Sequence, residues 1–241
     1  MDVVSKKQQA IRAREGQILD LARKMLVEHG YLGLSMEAIA AELKCSKGTI
    51  YNHFPCKEEI IIALAIETLA KRTEMFQLAA SRGGWPRERL ARIGVAAERF
   101  VRLYPDHFRI EQLIRSNSIW EKTSVERQRV MHASVGRCLA IVSGIVRDGI
   151  AQGQLTLPDD LVPEDLVFGL WSQTLSADLT VTRDGFEAHG VCDPHHTLRQ
   201  NINRLLDGYG WTPLSTEHDY IGFYERLLAE TAPPGGSGID A

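Results

Sequence analysis

The sequence predicts an all-α protein, with a small three-helix domain at the N-terminus and a larger helical domain behind it. Apolar residues recur at helical spacing through almost the whole chain. Alternating, strand-like patterns are nearly absent. Proline, glycine and small hydroxyl or acidic residues stand where helices begin and end.

Taken in order, residues 1–14 form a basic arm with Lys6, Lys7, Arg12 and Arg14. From 15 to 29, Ile18, Leu21, Ala22, Met25 and Leu26 make one apolar stripe, and Gly30 stands where a helix prefers to stop. Ser35 is placed to cap a second helix carrying Met36, Ile39, Ala40 and Leu43. After a turn at Lys44-Cys45, Ser46 is placed to cap a third helix, 47–54, which Pro55 ends. A fourth begins near Lys57. Pro86 opens a helix to about Tyr104, and Pro105-Asp106 starts another to about Ser116. Thr123 and Glu126 have capping-box spacing ahead of a helix to about Gly153. Pro163 opens a helix to about Thr182; a further one spans about 193–209. Thr216 and Asp219 resemble a cap before a last helix to about Thr231. The tail, 232–241, is rich in Pro, Gly and Ser and is expected to be disordered. The expected domains are therefore the arm, 15–60, 61–231 and the tail.

Composition narrows the function classes. The longest unbroken apolar run, Ile60–Ile66, is far short of the roughly 18 residues a membrane span needs, so no membrane partner is expected. The basic start has no apolar stretch behind it, so no secretory signal is expected. Cysteines at 45, 56, 138 and 192 form no CxxC pair and read as reduced thiols of a cytoplasmic protein. The net charge is −3, but residues 1–60 carry +1 and the remainder −4. That asymmetry is small and has the sign of a basic leading segment on an acidic body. Neither GxSxG nor GxGxxG is present, and no enzymatic activity or cofactor is expected.

Residues 36–54 read as helix, short turn, helix. The bland alternative is a helical hairpin that is polar on one side; the functional one is a DNA-binding helix-turn-helix. The stretch LSMEAIAAELKCSKGTIYNHFPCKEEIIIAL, with ILDLARKMLVEHGY before it, resembles the DNA-binding domain of the tetracycline-repressor (TetR) family of bacterial regulators over roughly residues 11–66. The chemistry agrees. Gly48 lets a helix approach a duplex closely, Lys47 brings positive charge, and Thr49 offers a hydroxyl and a methyl. The resemblance implies phosphate contacts at Ser35, Tyr51 and His53 and a backbone anchor at Lys57. Ser46 and Asn52 complete the expected DNA-binding set. His53 has an alternative as a packed histidine. The arm has two readings, lying along DNA or solvated. Two residues depart from the family pattern: Lys44, where glycine is frequent, and Cys56, where serine is usual.

The resemblance further implies a homodimer on operator DNA and a small-molecule effector bound in the second domain. An apolar or aromatic effector is expected, since no arginine cluster or carboxylate pair marks a ligand charge. Candidate ligand contacts are Phe100, Tyr104, Phe108, Trp120, Met131 and Trp171. Candidate dimer contacts are Val167, Leu170 and Thr174 on one late helix, and Leu198, Ile202 and Leu205 on the next; these stripes serve equally as the chain's own core. A rival chemistry sits in HGVCDPHH, where His189, Cys192, His195 and His196 are metal-capable. The alternative there is a polar loop whose Asp193 caps the following helix.

Overall fold

A computed structural model describes residues 6–181 and 190–230. Eleven helices are assigned among them, and no strand. They are α1 (Lys6–Gly33), α2 (Met36–Glu42), α3 (Lys47–His53), α4 (Lys57–Ser81), α5 (Pro86–Leu103) and α6 (Pro105–Leu113). Then come α7 (Asn117–Glu121), α8 (Val125–Ala151), α9 (Pro163–Val181), α10 (Pro194–Gly208) and α11 (Tyr220–Glu230). The expected disordered tail lies outside the described residues.

Helix boundaries follow local chemistry. The expected caps Ser35, Asp193 and Asp219 each accept a backbone N–H three residues on, from Ala38, His196 and Gly222. Gly30 does break α1, with φ 67°, and one more turn follows it. Three expectations need correction. Helix α1 begins at Lys6, so the described part of the arm is helical. The capping box at Thr123 and Glu126 does not form; Ser124 Oγ accepts the Arg127 N–H at 3.3 Å, while Thr123 donates back to Ile119 O. The one-turn helix α7 lies where no helix was expected.

The chain folds into two compact units, and neither is contiguous in sequence. One comprises Met1–Arg72 and Arg102–Gly136; the other comprises Thr73–Val101 and Arg137–Ala241. A boundary at residue 60 therefore marks the end of the helix-turn-helix, not the edge of a packed unit.

In the first unit, Ile18, Ala22, Ile39, Ile50, Phe54 and the run Ile60–Ala65 form the core, joined by Ile110, Ile119 and Met131. In the second, Val142, Ile145 and Val146 of α8 pack with Leu166, Val167 and Leu170 of α9, Ile202 and Leu206 of α10, and Trp211. Helix α8 is long and apolar enough to cross a membrane by length and composition, but Met131 packs in the first core and Cys138, Val142, Ile145 and Val146 in the second. Trp211 is fully buried, and a Cβ on Gly149 would stand 2.8 Å from its ring, so only glycine fits there.

A buried arginine organises the second unit. Arg87, 1% exposed, donates to the carbonyls of Trp211, Pro213 and Asn203 at 2.5, 2.8 and 3.1 Å, and pairs with Asp207 at 2.7 Å. Its guanidinium lies 4.3 Å from the centre of the Tyr220 ring. Burial alone would raise the Asp207 pKa; bonds from Ser215 and Arg87 outweigh it and hold that carboxyl below its usual value. A second buried pair, Arg199–Glu98 at 2.6 Å, ties α10 to α5.

Candidate nucleic-acid interface

The turn between α2 and α3 is built from two backbone bonds. Cys45 N–H reaches Ala40 O at 3.0 Å and Lys44 N–H reaches Ala41 O at 3.1 Å. This is a Schellman ending, which requires a left-handed residue at Lys44. Lys44 has φ 51°, the one positive φ at a non-glycine position among the described residues. A non-glycine residue held there is strained by about 1–2 kcal/mol. Ser46 then caps α3, its Oγ accepting Thr49 N–H at 3.1 Å.

Helix α3 has two inward anchors, Ile50 at 0% exposure and Phe54, its cap, at 1%. They set the phase of the helix. Lys47, Gly48, Tyr51 and Asn52 are exposed; Thr49 and His53 are half-buried. A Cβ on Gly48 would meet nothing nearer than Ser46 Oγ at 3.7 Å, so the fold itself has room for a side chain there. Lys47 Nζ contacts Glu37 at 3.2 Å across the exposed surface. Glu37's own backbone N–H and Lys47 hold that carboxyl below its usual pKa. Thr49 and Ser46 hydroxyls are 2.9 Å apart. His53 Nδ1 lies 3.5 Å from Glu15, so its ring is turned partly toward α1.

Lys57 is committed inside the protein. Its Nζ donates to Tyr31 O and Leu34 O at 3.1 and 3.4 Å and sits 3.9 Å from the centre of the Tyr31 ring. It closes the end of α1 against the start of α4. Cys56 Sγ donates to Lys122 O at 3.4 Å, and burial raises its pKa.

Two residues that sequence reasoning did not single out hold this unit together. Glu58 and Glu59, each 4% exposed, open α4. Glu58 accepts from Tyr31 Oη at 2.7 Å and Lys122 Nζ at 3.3 Å. Glu59 accepts from Ser124 N–H at 2.6 Å and Arg127 Nε at 2.9 Å. The pair thus links the end of α1 to the start of α8. Burial alone would raise both carboxyls; the hydrogen bonds and cations outweigh it, so both lie below the usual value. The bond to Glu58, with burial, pushes the Tyr31 phenol up to about 12. No sequence signal marks these partners, since "KEE" at a helix start already satisfies the helix dipole.

The other expected residues are scattered. Met131 and Phe108 are buried at 2% and 3%, Met131 within the first unit's core. Trp120 stacks on His132 and donates to Ile114 O. Tyr104 packs edge-on to His107, and Phe100 is fully buried. None of these, nor Trp171, lines the apolar cleft between α4, α5 and α11. On α9, Val167 and Leu170 belong to the unit's own core, as does Ile202 on α10, so these three are spent within the chain. Leu198 and Leu205 are half-buried against the same core, and Thr174 donates to Leu170 O. The outward face of α9 instead carries Phe168 and Trp171, 64% and 46% exposed, with ring centres 5.9 Å apart. Periodicity reveals a stripe's spacing, and α9 carries apolar residues on more than one face. His189 lies outside the described residues. Among those described, no three His, Cys, Asp or Glu side chains gather as a metal would require. Asp193 caps α10, and His196 lies 2.8 Å from Gln200.

Comparison with known proteins places the geometry. The family described as bacterial regulatory proteins, tetR family, matches residues 18–64, from α1 into α4. Its N-terminal domain belongs to the TetR family. The fatty acid metabolism regulator protein of Bacillus subtilis (strain 168) is 26% identical over 166 residues, 68% of this chain and 83% of that one. The HTH-type transcriptional repressor AcnR of Corynebacterium diphtheriae is 37% identical over 75 residues, 31% of this chain and 38% of its own. The fold matches the crystal structure of the regulator FadR from Bacillus subtilis in complex with stearoyl-CoA, with TM-score 0.60 and 20% identity, covering 80% of this chain and 98% of that one.

The Glu59 contacts have a pH signature. Its folded pKa lies below the ordinary 4.5, so its contribution is present above 4.5 and lost as pH falls through the folded value. Thermal melts of Glu59→Gln should show lower stability than the natural chain at neutral pH, with the gap closing below pH 4.5. A gap that is constant with pH would mean the charge contributes nothing.

Proposed function

We propose that this TetR-family chain is a sequence-specific DNA-binding regulator, acting as a homodimer and released from its operator by a small molecule bound in the second unit. The observation that carries the reading is the phase of α3. Ile50 and Phe54 point in, and Lys47, Gly48, Tyr51 and Asn52 face out as one continuous polar strip. Such a strip fits the major groove, where lysine and hydroxyls meet phosphates and base edges. Gly48 supports the same reading, because the space a side chain would take is open on the protein's side. Operator contacts at Ser35, Ser46, Thr49 and His53 follow from their places around the strip. Lys57 supports the head from inside, through the carbonyls of Tyr31 and Leu34.

One head covers only a few base pairs, so two are required, about one helical turn (~34–36 Å) or a multiple apart. The exposed Phe168–Trp171 face of α9 is the surface we assign to pairing, flanked by α10. Repression follows from occupying a promoter, in line with the repressor AcnR. The effector acts by population shift. A coupling of about 1–3 kcal/mol between ligand and DNA changes operator affinity roughly 5- to 150-fold.

Duplex DNA titrations across a range of salt test the DNA reading. Affinity should fall steeply as salt rises, and Lys47→Ala should flatten the log–log slope by about one. Tyr51→Ala should weaken binding without lowering the melting temperature. Unchanged affinity and slope in the Lys47→Ala, Tyr51→Ala double variant would remove α3 from the interface. The pairing surface is tested separately by sedimentation of Phe168→Glu. A carboxylate in that apolar face should weaken the dimer by more than about tenfold; an unchanged dimer would place pairing elsewhere.

A further inference from the structure

Helices α4 and α5 form an antiparallel hairpin, and each lays a matching stripe along one cleft. From the end of α4 come Met75, Leu78 and Ala79, with Arg82 just past its last residue; from α5 come Arg92, Val95, Ala96 and Arg99. Both stripes run i, i+3, i+4, i+7, so each is one helix face. Leu227 of α11 closes the third side. The lining is apolar in the middle and carries three guanidiniums and no carboxylate.

The arginines are placed rather than loose. Arg92 Nη2 donates to Gly83 O at 3.2 Å, and its guanidinium lies 4.9 Å from the centre of the Phe223 ring of α11. Its Nε is buried and has no hydrogen-bond partner. Because Gly83 adjoins Arg82, Arg82 and Arg92 share the turn end of the hairpin, with Arg99 two helical turns beyond Arg92 on α5. Guanidiniums beside apolar walls attract an anion more strongly than in open water, and their planar fork matches a carboxylate. The cavity is about 120 Å³. A cavity of roughly 150 Å³ holds one benzene, so this one, open where Leu78 is exposed, takes a ligand body of no more than about six carbons.

We propose that this cleft binds a small amphipathic carboxylate: an alkanoate of about six carbons, or an aryl carboxylate of similar size. The carboxylate sits at Arg82 and Arg92, and the apolar body lies along Leu78, Ala79, Val95 and Leu227. The proposal deepens the effector reading. It rests on that reading only for any consequence at the operator, since binding is measured on the free chain.

The test is calorimetric titration of the full chain with hexanoate and benzoate, with 1-hexanol as the uncharged control. Hexanoate or benzoate should bind one per chain, at least about tenfold tighter than hexanol. Leu78→Glu should abolish carboxylate binding; Leu78 is 63% exposed, so the change leaves the core intact, and an unchanged melting temperature verifies this. Arg82→Gln, also at an exposed position, should weaken binding about tenfold. Three results would each overturn the proposal: no binding of either carboxylate, hexanol binding as tightly as hexanoate, or hexanoate binding unchanged in Leu78→Glu. Duplex titration of the same preparations separates the two readings. A chain that binds DNA but neither carboxylate loses only this proposal; one that binds a carboxylate but no DNA loses only the regulator reading.

Discussion

The burial of Ile50 and Phe54 is the constraint on which the exposed strip of α3 depends. A helix of seven residues does not persist in water alone, because nucleation is not repaid over so short a run. Helix α3 exists because these two side chains are fully desolvated, each contributing about 1.5–3 kcal/mol. Ser46 Oγ satisfies one of its free N–H groups, that of Thr49, and the turn at Lys44 leads the chain into it. With two residues turned inward, the remaining ones have no choice of direction. The outward strip is thus a geometric consequence of core packing.

The same head is held by charge as well as by apolar contact. Two neighbouring carboxylates with only 4% exposure would be costly unless paired. Glu58 and Glu59 are paired in different directions, one toward Tyr31 near the end of α1 and the other toward Ser124 and Arg127 where α8 begins. Lys57 reaches the carbonyls of Tyr31 and Leu34 from the adjacent position. Three consecutive residues at the start of α4 therefore join the end of α1, the entry to α2 and the start of α8.

Much of this was legible in the sequence because it is local. Ser35, Ser46, Asp193 and Asp219 cap helices, and Gly30 breaks one, through contacts a few residues away. The left-handed strain at Lys44 was likewise readable from one residue standing where glycine is frequent. What escaped was either too short or too distant. Helix α7 is a single turn and leaves no period to detect. Tyr31 lies 27 residues before Glu58, and Lys122, Ser124 and Arg127 lie more than sixty residues after the pair. The cleft arginines fall on α5 and just past the end of α4, and only the fold brings Arg82 to the others. Val167 and Leu170 were correctly spaced, but spacing does not say whether a stripe meets its own core or a second copy.

Hydrogen exchange of backbone amides, with and without a short duplex at low salt, is the most direct measurement. Because non-specific binding is electrostatic, any duplex suffices. The account predicts that DNA slows exchange in α3 and at the start of α2, while α10 and α11 are unaffected. Exchange in α3 that is unchanged by saturating DNA, with protection arising elsewhere, would contradict it.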